Sequence, residues 1–211
     1  MIQFLALAVM QEKVIDRPAA AFVPALASSA AFTQEPASIR VAVMPEKAVI
    51  TVTQLFRNRG AEAQTTEMRL GVNRMGEGLT GGPAWTNVRW ADQPIALGPD
   101  GKFPATIPAK GWASLKATID LPLAAFGPDR IQRGLHLDLP AQTLAAGGSL
   151  SMDFRKGDVL RLIAMEPSQT AWKYTLDDLA VQLGSLRGEG GNKRVFVSWW
   201  RGGFAPIGDD R

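Results

Sequence analysis

The residue types that most often carry chemistry are scarce in this sequence. The 211 residues contain no cysteine and a single histidine, His136. Without thiols the chain cannot form disulfides, iron–sulfur clusters, thiolate zinc sites or cysteine nucleophiles, and one imidazole is too few for a histidine-rich metal site. His136 alternates with leucines in "LHLDLP", which is typical of the polar side of a strand. We therefore predict no metal and no cofactor.

A pair of acidic residues is the other chemistry that the sequence could support. A glycosidase needs two carboxyl groups roughly 5 to 10 Å apart across a cleft. Most of the acidic candidates lie beside predicted turns or helix caps, where solvated carboxylates are common. They are Asp153, Asp158, Glu166, Asp177 and Asp178. Because no nucleophile elbow, phosphate-binding loop or calcium-loop spacing accompanies them, the sequence predicts a protein that is not an enzyme.

The most aromatic stretch, "KRVFVSWWRGGF" (193–204), supplies the candidate binding site. Successive side chains of a strand point to opposite faces, so Trp199 is expected to be buried together with its neighbouring valines. Arg194, Phe196 and Trp200 then share the opposite face. An exposed aromatic pair with a cation can stack on a sugar ring, a base or a peptide side chain. The alternative is that another segment covers this face and makes Trp200 part of a second small core.

The charge of the chain argues against a nucleic-acid partner. The net charge is +3 with a pI near 9.4, and the lysines and arginines are scattered along the sequence. Proteins that bind nucleic acids usually concentrate their cations on one stripe, so that counterion release can drive binding. A weak attraction to anionic polymers of the cell envelope is compatible with this charge.

The elements that must position these residues are predicted to be strands. Apolar and polar residues alternate with a period of two in "KAVITVTQLFR" (47–57) and "WASLKATIDL" (112–121). Further strands are predicted at 38–44, 65–72, 147–154, 159–165 and 193–200. The 21 glycines and 14 prolines favour many turns between short strands. The sequence therefore predicts an all-β protein, an antiparallel immunoglobulin-like β-sandwich with at most one short helix.

Local signals predict how neighbouring segments connect. Asn58 and Gly60 indicate a turn that makes one hairpin of 47–57 and 65–72. A second hairpin is predicted over about 93–107, around the turn "GPDG" (98–101), where proline presets the first corner and glycine accepts a positive φ. The one predicted helix is "TLDDLAVQLGSLRG", although strand alternation fits its leucines nearly as well.

The N-terminus predicts an exported protein. The apolar run over 2–10 ends abruptly at Gln11, which is typical of a signal peptide, although an N-terminal strand would look similar. We predict a signal peptide over 1–10, a linker or arm over 11–36 and a single β-sandwich domain with a C-terminal elaboration over 37–211. The run is too short to span a bilayer, so no transmembrane segment is predicted after leader removal. The predicted location is extracytoplasmic, either periplasmic or secreted.

The stretch "SIRVAVMPEKAVITVTQLFRNRGAEAQTTEMRLGV" resembles the start of bacterial exported immunoglobulin-like domains, in which a strand ending in Phe-x-Asn-x-Gly pairs with the next strand. It is similar in layout to the hairpin that opens vault-protein/inter-alpha-trypsin-type domains. The resemblance covers about 35 of the 211 residues. It implies a β-sandwich in a cell-envelope or secreted setting and carries over no catalytic residue. The cysteine pair of immunoglobulin domains is absent.

These observations predict an exported, non-enzymatic β-sandwich module that binds or organises a cell-envelope or extracellular component. Its expected partner is a cell-envelope polymer or another envelope protein. Two alternatives stay open at this point. One is a carbohydrate-active enzyme with an unidentified acidic pair, and the other is a purely structural accessory domain.

Overall fold

The computed structural model describes residues 21–22, 25–26, 32–71, 85–98, 101–123, 125–126, 132–139, 148–157, 159–166, 172–174, 180–183 and 193–201. Within these ranges every regular element is a strand, so the all-β prediction is confirmed. The strands are β1 (Ala21–Phe22), β2 (Ala25–Leu26), β3 (Thr33–Gln34), β4 (Ser38–Val43), β5 (Lys47–Arg57), β6 (Gln64–Gly71), β7 (Trp85–Trp90), β8 (Gln93–Pro94), β9 (Lys102–Ile107), β10 (Trp112–Pro122), β11 (Ala125–Phe126), β12 (Gln132–Leu139), β13 (Ser149–Asp153), β14 (Val159–Glu166), β15 (Trp172–Tyr174), β16 (Ala180–Leu183) and β17 (Lys193–Arg201). A helix able to cross a membrane is not found among the described residues.

The strands form three sheets. The large sheet has the order β15-β16-β13-β4-β5-β10-β7-β8, with β3 paired to β5. The second sheet has the order β1-β12-β17-β14, with β11 paired to β12, and the third sheet has the order β2-β6-β9.

The purely antiparallel arrangement predicted from the sequence is wrong. β4 pairs with β13 in parallel, and β1 pairs with β12 in parallel, so two of the sheets are mixed. Tight hairpins join only antiparallel strands, whereas parallel neighbours need a long crossover connection. Ser38 and Ser149, which pair at the start of β4 and β13, are 111 positions apart in the chain, so no local turn fixes their direction.

Two hydrophobic cores lie against one face of the large sheet. In the first core, Ile50 and Ile119 of the large sheet pack with Leu137, Val197 and Trp199 of the second sheet. All five side chains are at most 1% exposed. This packing is what the period-two alternation of β5 and β10 predicts, because every second side chain of a strand points the same way.

The second core lies further along the same two strands. Phe56 and Leu115 of the large sheet pack with Met68, Phe103 and Ile107 of the third sheet. β5 and β10 are 11 residues long and contribute to both cores. The large sheet therefore backs two smaller sheets along the length of its central strands.

The predicted hairpin of 47–57 and 65–72 is wrong, because the two strands belong to different sheets. β5 pairs with β3, β4 and β10, while β6 pairs with β2 and β9. Asn58, which is 2% exposed, explains the corner between them. Its Nδ2 donates to the carbonyl oxygens of Glu62 at 2.8 Å, Ile107 at 3.2 Å and Pro108 at 3.1 Å. The side chain thus ties the β5–β6 corner to the β9–β10 corner instead of closing a hairpin.

The second predicted hairpin, over about 93–107, is also wrong. β8 pairs with β7, and β9 pairs with β6. The turn between them is confirmed at its glycine, because Gly101 has a φ of 72° and its amide donates to the Gly98 carbonyl oxygen at 2.9 Å. A Cβ on Gly101 would lie 2.1 Å from the carbonyl oxygen of Leu70. Glycine is therefore required there for both the backbone conformation and the close approach.

The prediction of a helix at 175–188 is wrong for the residues that the structure describes. Residues 180–183 form β16, which lies between β13 and β15 in the large sheet. The rest of the predicted helix lies outside the described residues. The leucines and valines of this segment fit both the period of a helix and the period of a strand. The segment forms a strand because it pairs with a neighbouring strand on each side.

Parts of the segment predicted as a linker or arm, 11–36, join the sheets as short strands. β1, β2 and β3 pair with β12, β6 and β5, one in each of the three sheets. Phe32 is 6% exposed and stacks on Trp90 with 6.5 Å between the ring centroids. The signal peptide predicted over 1–10 lies outside the described residues, and the domain boundaries stay predictions.

Candidate binding site

The site predicted around Trp200 lies on β17, between β12 and β14 of the second sheet. Trp199 is 1% exposed and forms an edge-to-face pair with Phe154, as the alternation predicts. Trp200 is 38% exposed. Arg194 and Phe196 are opposite Asp138 and His136 in the register of β12, but their side chains lie outside the described residues. A binding site formed by Arg194, Phe196 and Trp200 therefore stays a prediction.

The acidic candidates are not brought together in the described part of the chain. Asp153 accepts the backbone N–H of Arg155 at 3.0 Å and pairs with the Arg155 guanidinium at 3.4 Å. It is thus part of the local turn, as expected for a solvated turn carboxylate. Glu166 ends β14, and Asp158, Asp177 and Asp178 lie outside the described residues.

A groove that sequence reasoning missed lies on the other face of the large sheet, away from the two cores. We call it the cationic groove, and its volume is about 870 Å³. It crosses β4, β5, β10 and β7. Its lining residues are Ser38, Arg40, Thr51, Thr53, Asn87, Arg89, Lys116 and Thr118. All eight are polar, and three of them are cationic, while none is a carboxylate.

Strand register places the groove residues side by side. Thr51 is opposite Arg40 on one side and Thr118 on the other. Lys116 is opposite Thr53 on one side and Arg89 on the other. Residues that are directly opposite have Cβ atoms about 4.5–5.5 Å apart, so the two rows form one continuous surface. The hydroxyls of Thr51 and Thr118 are 3.3 Å apart in the middle of this surface.

A β-bulge in β7 adds Asn87 to the groove. The register of β7 and β10 shifts between Lys116 and Thr118, so β7 contains one extra residue there. Asn87 has a φ of 50°, in the left-handed region that asparagine tolerates better than most residues. Thr86 and Asn87 are consecutive and both exposed, while Val88 returns to the core. A bulge re-aims a side chain in this way, and bulges are over-represented next to functional sites.

The cations of the groove are not neutralised by neighbouring carboxylates. No ion pair joins Arg40, Arg89 or Lys116 to an acidic residue in the part of the chain that the structure describes. Lys116 and Arg89 are like charges on directly opposite residues, an arrangement that destabilises a sheet. The ends of β5 differ, because Lys47 and Arg57 are both paired with carboxylates, at 2.6 Å and 3.3 Å. The lining of the groove therefore has a net positive charge.

A second groove, of about 490 Å³, lies on β6 and β9 of the third sheet. Its lining includes Glu67, Lys102 and Pro104. The Lys102 ammonium is 2.9 Å from the Glu67 carboxylate, so these charges already compensate one another. The cationic groove is therefore the better candidate for binding a charged ligand.

Two large apolar side chains are exposed at one end of the same outer face. Trp112 is 66% exposed at the start of β10, and Leu55 is 40% exposed on β5. Trp112 is more exposed than Trp200, which the sequence had favoured. The signal for Trp112 was available, because the alternation of β10 carried back from Lys116 puts Trp112 on the polar side. No comparable signal could unite Arg40, Arg89 and Lys116, since their proximity depends on strand register.

Comparisons with known proteins give a fold and no family. No protein-family model matches the chain, and no curated protein matches it. A candidate nutrient binding protein from Legionella pneumophila subsp. pneumophila str. Philadelphia 1 has a similar structure, with a TM-score of 0.53 at 9% identity over 87% of this chain and 71% of that chain. An M1 zinc metallopeptidase from Deinococcus radiodurans gives a TM-score of 0.36 at 7% identity over 81% of this chain and 43% of that chain. Similarity of fold does not by itself carry function, which must be argued from the site.

Proposed function

We propose that this protein is an exported, non-enzymatic module that binds an anionic polymer of the cell envelope in the cationic groove. One observation carries the proposal. Three cations converge on a groove of about 870 Å³ whose lining contains no carboxylate. Unbalanced charge of this kind destabilises the sheet, and an anionic ligand would relieve it.

The chemistry of the lining fits an anion that also carries hydrogen-bonding groups. The guanidinium groups of Arg40 and Arg89 match the planar geometry of carboxylate and phosphate, and the Lys116 ammonium acts as a point charge. Hydroxyls of Ser38 and Thr53 can donate to or accept from the remaining polar atoms. The groove is open to solvent along a sheet face, which suits a length of polymer better than a small enclosed ligand.

Export and a binding role fit other features of the chain. The apolar run over 2–10 is typical of a signal peptide, and an envelope location would bring the groove to anionic polymers. The fold is similar to that of a candidate nutrient binding protein, which is compatible with a binding role. The residues that line the groove offer no pair of acids of the kind that a glycosidase requires.

Calorimetric titration with inorganic polyphosphate tests the groove as an anion site. We expect the double substitution Arg89→Ala/Lys116→Ala to weaken binding about tenfold, since each lost cation contributes on the order of 0.2–1 kcal/mol at an exposed site. The matched control is Arg59→Ala/Lys156→Ala, which also removes one arginine and one lysine, both exposed and neither in the lining of the groove. Binding should also weaken as ionic strength rises.

Two results would contradict the proposal. The wild-type protein could fail to bind polyphosphate at low salt. Alternatively, Arg59→Ala/Lys156→Ala could weaken binding as much as Arg89→Ala/Lys116→Ala does, which would indicate a diffuse effect of net charge in place of a site.

A further inference from the structure

The exposed indole of Trp112 is a second feature of the outer face, and the charge of the cationic groove does not explain it. Its 66% exposure contrasts with 7% for Trp90 and 1% for Trp199, which both lie in cores. The Trp112 side chain makes no ring contact or hydrogen bond within the described part of the chain. Leu55, 40% exposed, is opposite Ser114 in register and so lies diagonally beside Trp112 on the same face. We call Trp112 and Leu55 the apolar platform.

The apolar platform and the cationic groove are continuous along one face of the large sheet. Trp112, Ser114 and Lys116 are alternate residues of β10, and none of them is buried. Lys116 is four positions after Trp112 along the strand, a distance of about 13 Å. A single extended ligand can therefore contact both the platform and the groove. A small anion, or a charged chain without rings, would use the groove alone.

We propose that the ligand is an acidic oligosaccharide, whose sugar rings stack on the apolar platform while its carboxylates meet the cations of the groove. This inference rests on the proposed function and adds the class of ligand. The apolar face of a sugar ring complements an exposed indole. The hydroxyls of a sugar complement the hydroxyls and amide that surround the cations, which belong to Ser38, Thr51, Thr53, Thr118 and Asn87.

A single-stranded nucleic acid fits this surface less well. Proteins that bind single strands combine a basic channel with successive aromatic side chains on which consecutive bases stack. The outer face has one exposed tryptophan, at the end of a groove rich in hydroxyls, among its described residues. Charge, hydroxyls and a single aromatic platform favour the acidic sugar.

The test compares hexagalacturonate, neutral maltohexaose, inorganic polyphosphate and a thymidine oligonucleotide by calorimetry on the full chain. Hexagalacturonate should bind more tightly than maltohexaose and more tightly than the thymidine oligonucleotide. Trp112→Ala should weaken hexagalacturonate binding roughly tenfold and leave polyphosphate binding unchanged, since polyphosphate needs only the groove. Trp112→Phe should restore part of the lost affinity because it keeps a ring, and Trp200→Ala, the aromatic control on the second sheet, should have no effect. Thermal unfolding of each variant confirms that it is folded.

The outcomes separate the two proposals. If Trp112→Ala leaves hexagalacturonate affinity unchanged while Arg89→Ala/Lys116→Ala still weakens polyphosphate, the oligosaccharide inference is wrong and the anion site stands. Tighter binding of the oligonucleotide than of hexagalacturonate, or equal binding of maltohexaose, would also overturn the inference. If neither polyphosphate nor hexagalacturonate binds the wild-type protein, both proposals fail.

Discussion

The two faces of the large sheet differ in burial and in chemistry, although the same strands build both. On β5 and β10 the core-facing side chains are all at most 2% exposed. Their neighbours along each strand are half-buried or exposed. The inner face contributes side chains to both cores, where burial of a large apolar side chain stabilises the fold by about 1.5–3 kcal/mol. The outer face contains the cations of the groove and the exposed indole of Trp112, the residues to which we assign the proposed binding.

The difference between the two faces can be tested by substituting two adjacent residues of β5 that belong to opposite faces. Phe56 is fully buried and packs against Trp90 with 5.6 Å between ring centroids. We expect Phe56→Ala to lower the free energy of unfolding by about 3–5 kcal/mol, because it leaves a cavity in the second core. Leu55→Ala, its neighbour on the outer face, should change stability by less than about 0.5 kcal/mol. Urea denaturation of both variants measures the difference, and equal losses would contradict the assignment of the faces.

A substitution on the outer face should have a smaller effect on stability, and it should stabilise the protein while it weakens binding. Lys116→Glu replaces a like-charged pair with an opposite-charged pair across from Arg89. We expect a gain of roughly 0.2–1 kcal/mol in the free energy of unfolding, together with loss of polyphosphate binding. Lys156→Glu makes the same change of charge in the turn after β13, away from the groove, and should weaken binding much less. If Lys116→Glu binds polyphosphate as tightly as the wild type does, Lys116 is not part of the binding site.

The strands of this fold can be predicted largely from the sequence, because alternation is a local signal. The buried positions of β5, β10 and β13 follow directly from it, as Ile50, Leu115 and Met152 show. Pairing is a different matter, since it depends on contacts far apart in the chain. Asn58 indicated a hairpin turn from the sequence, yet its amide is bound to the carbonyl oxygens of Ile107 and Pro108 in another corner. Those partners cannot be seen in the residues around Asn58.

The cationic groove could not be predicted from the sequence. The site that the sequence predicts is a different one, an exposed aromatic pair with one cation formed by Phe196, Trp200 and Arg194, and it stays a prediction, with Trp200 38% exposed. The groove instead joins Arg40, Arg89 and Lys116 from three strands that are distant in sequence. The bulge at Asn87 is equally hidden, because the extra residue is defined only against the register of β10. Register is a tertiary property, and a single sequence does not encode it in a local pattern.

Nitrogen-15 correlation spectra recorded during titration with hexagalacturonate test the central claim most directly, since they report on every face at once. We predict shifts of the backbone amides of Thr51, Arg89 and Lys116 and of the indole N–H of Trp112. The buried indole of Trp199 should not move, because it lies in the first core. Shifts confined to β17 and the indole of Trp200 would contradict the account and would place binding at the site formed by Arg194, Phe196 and Trp200.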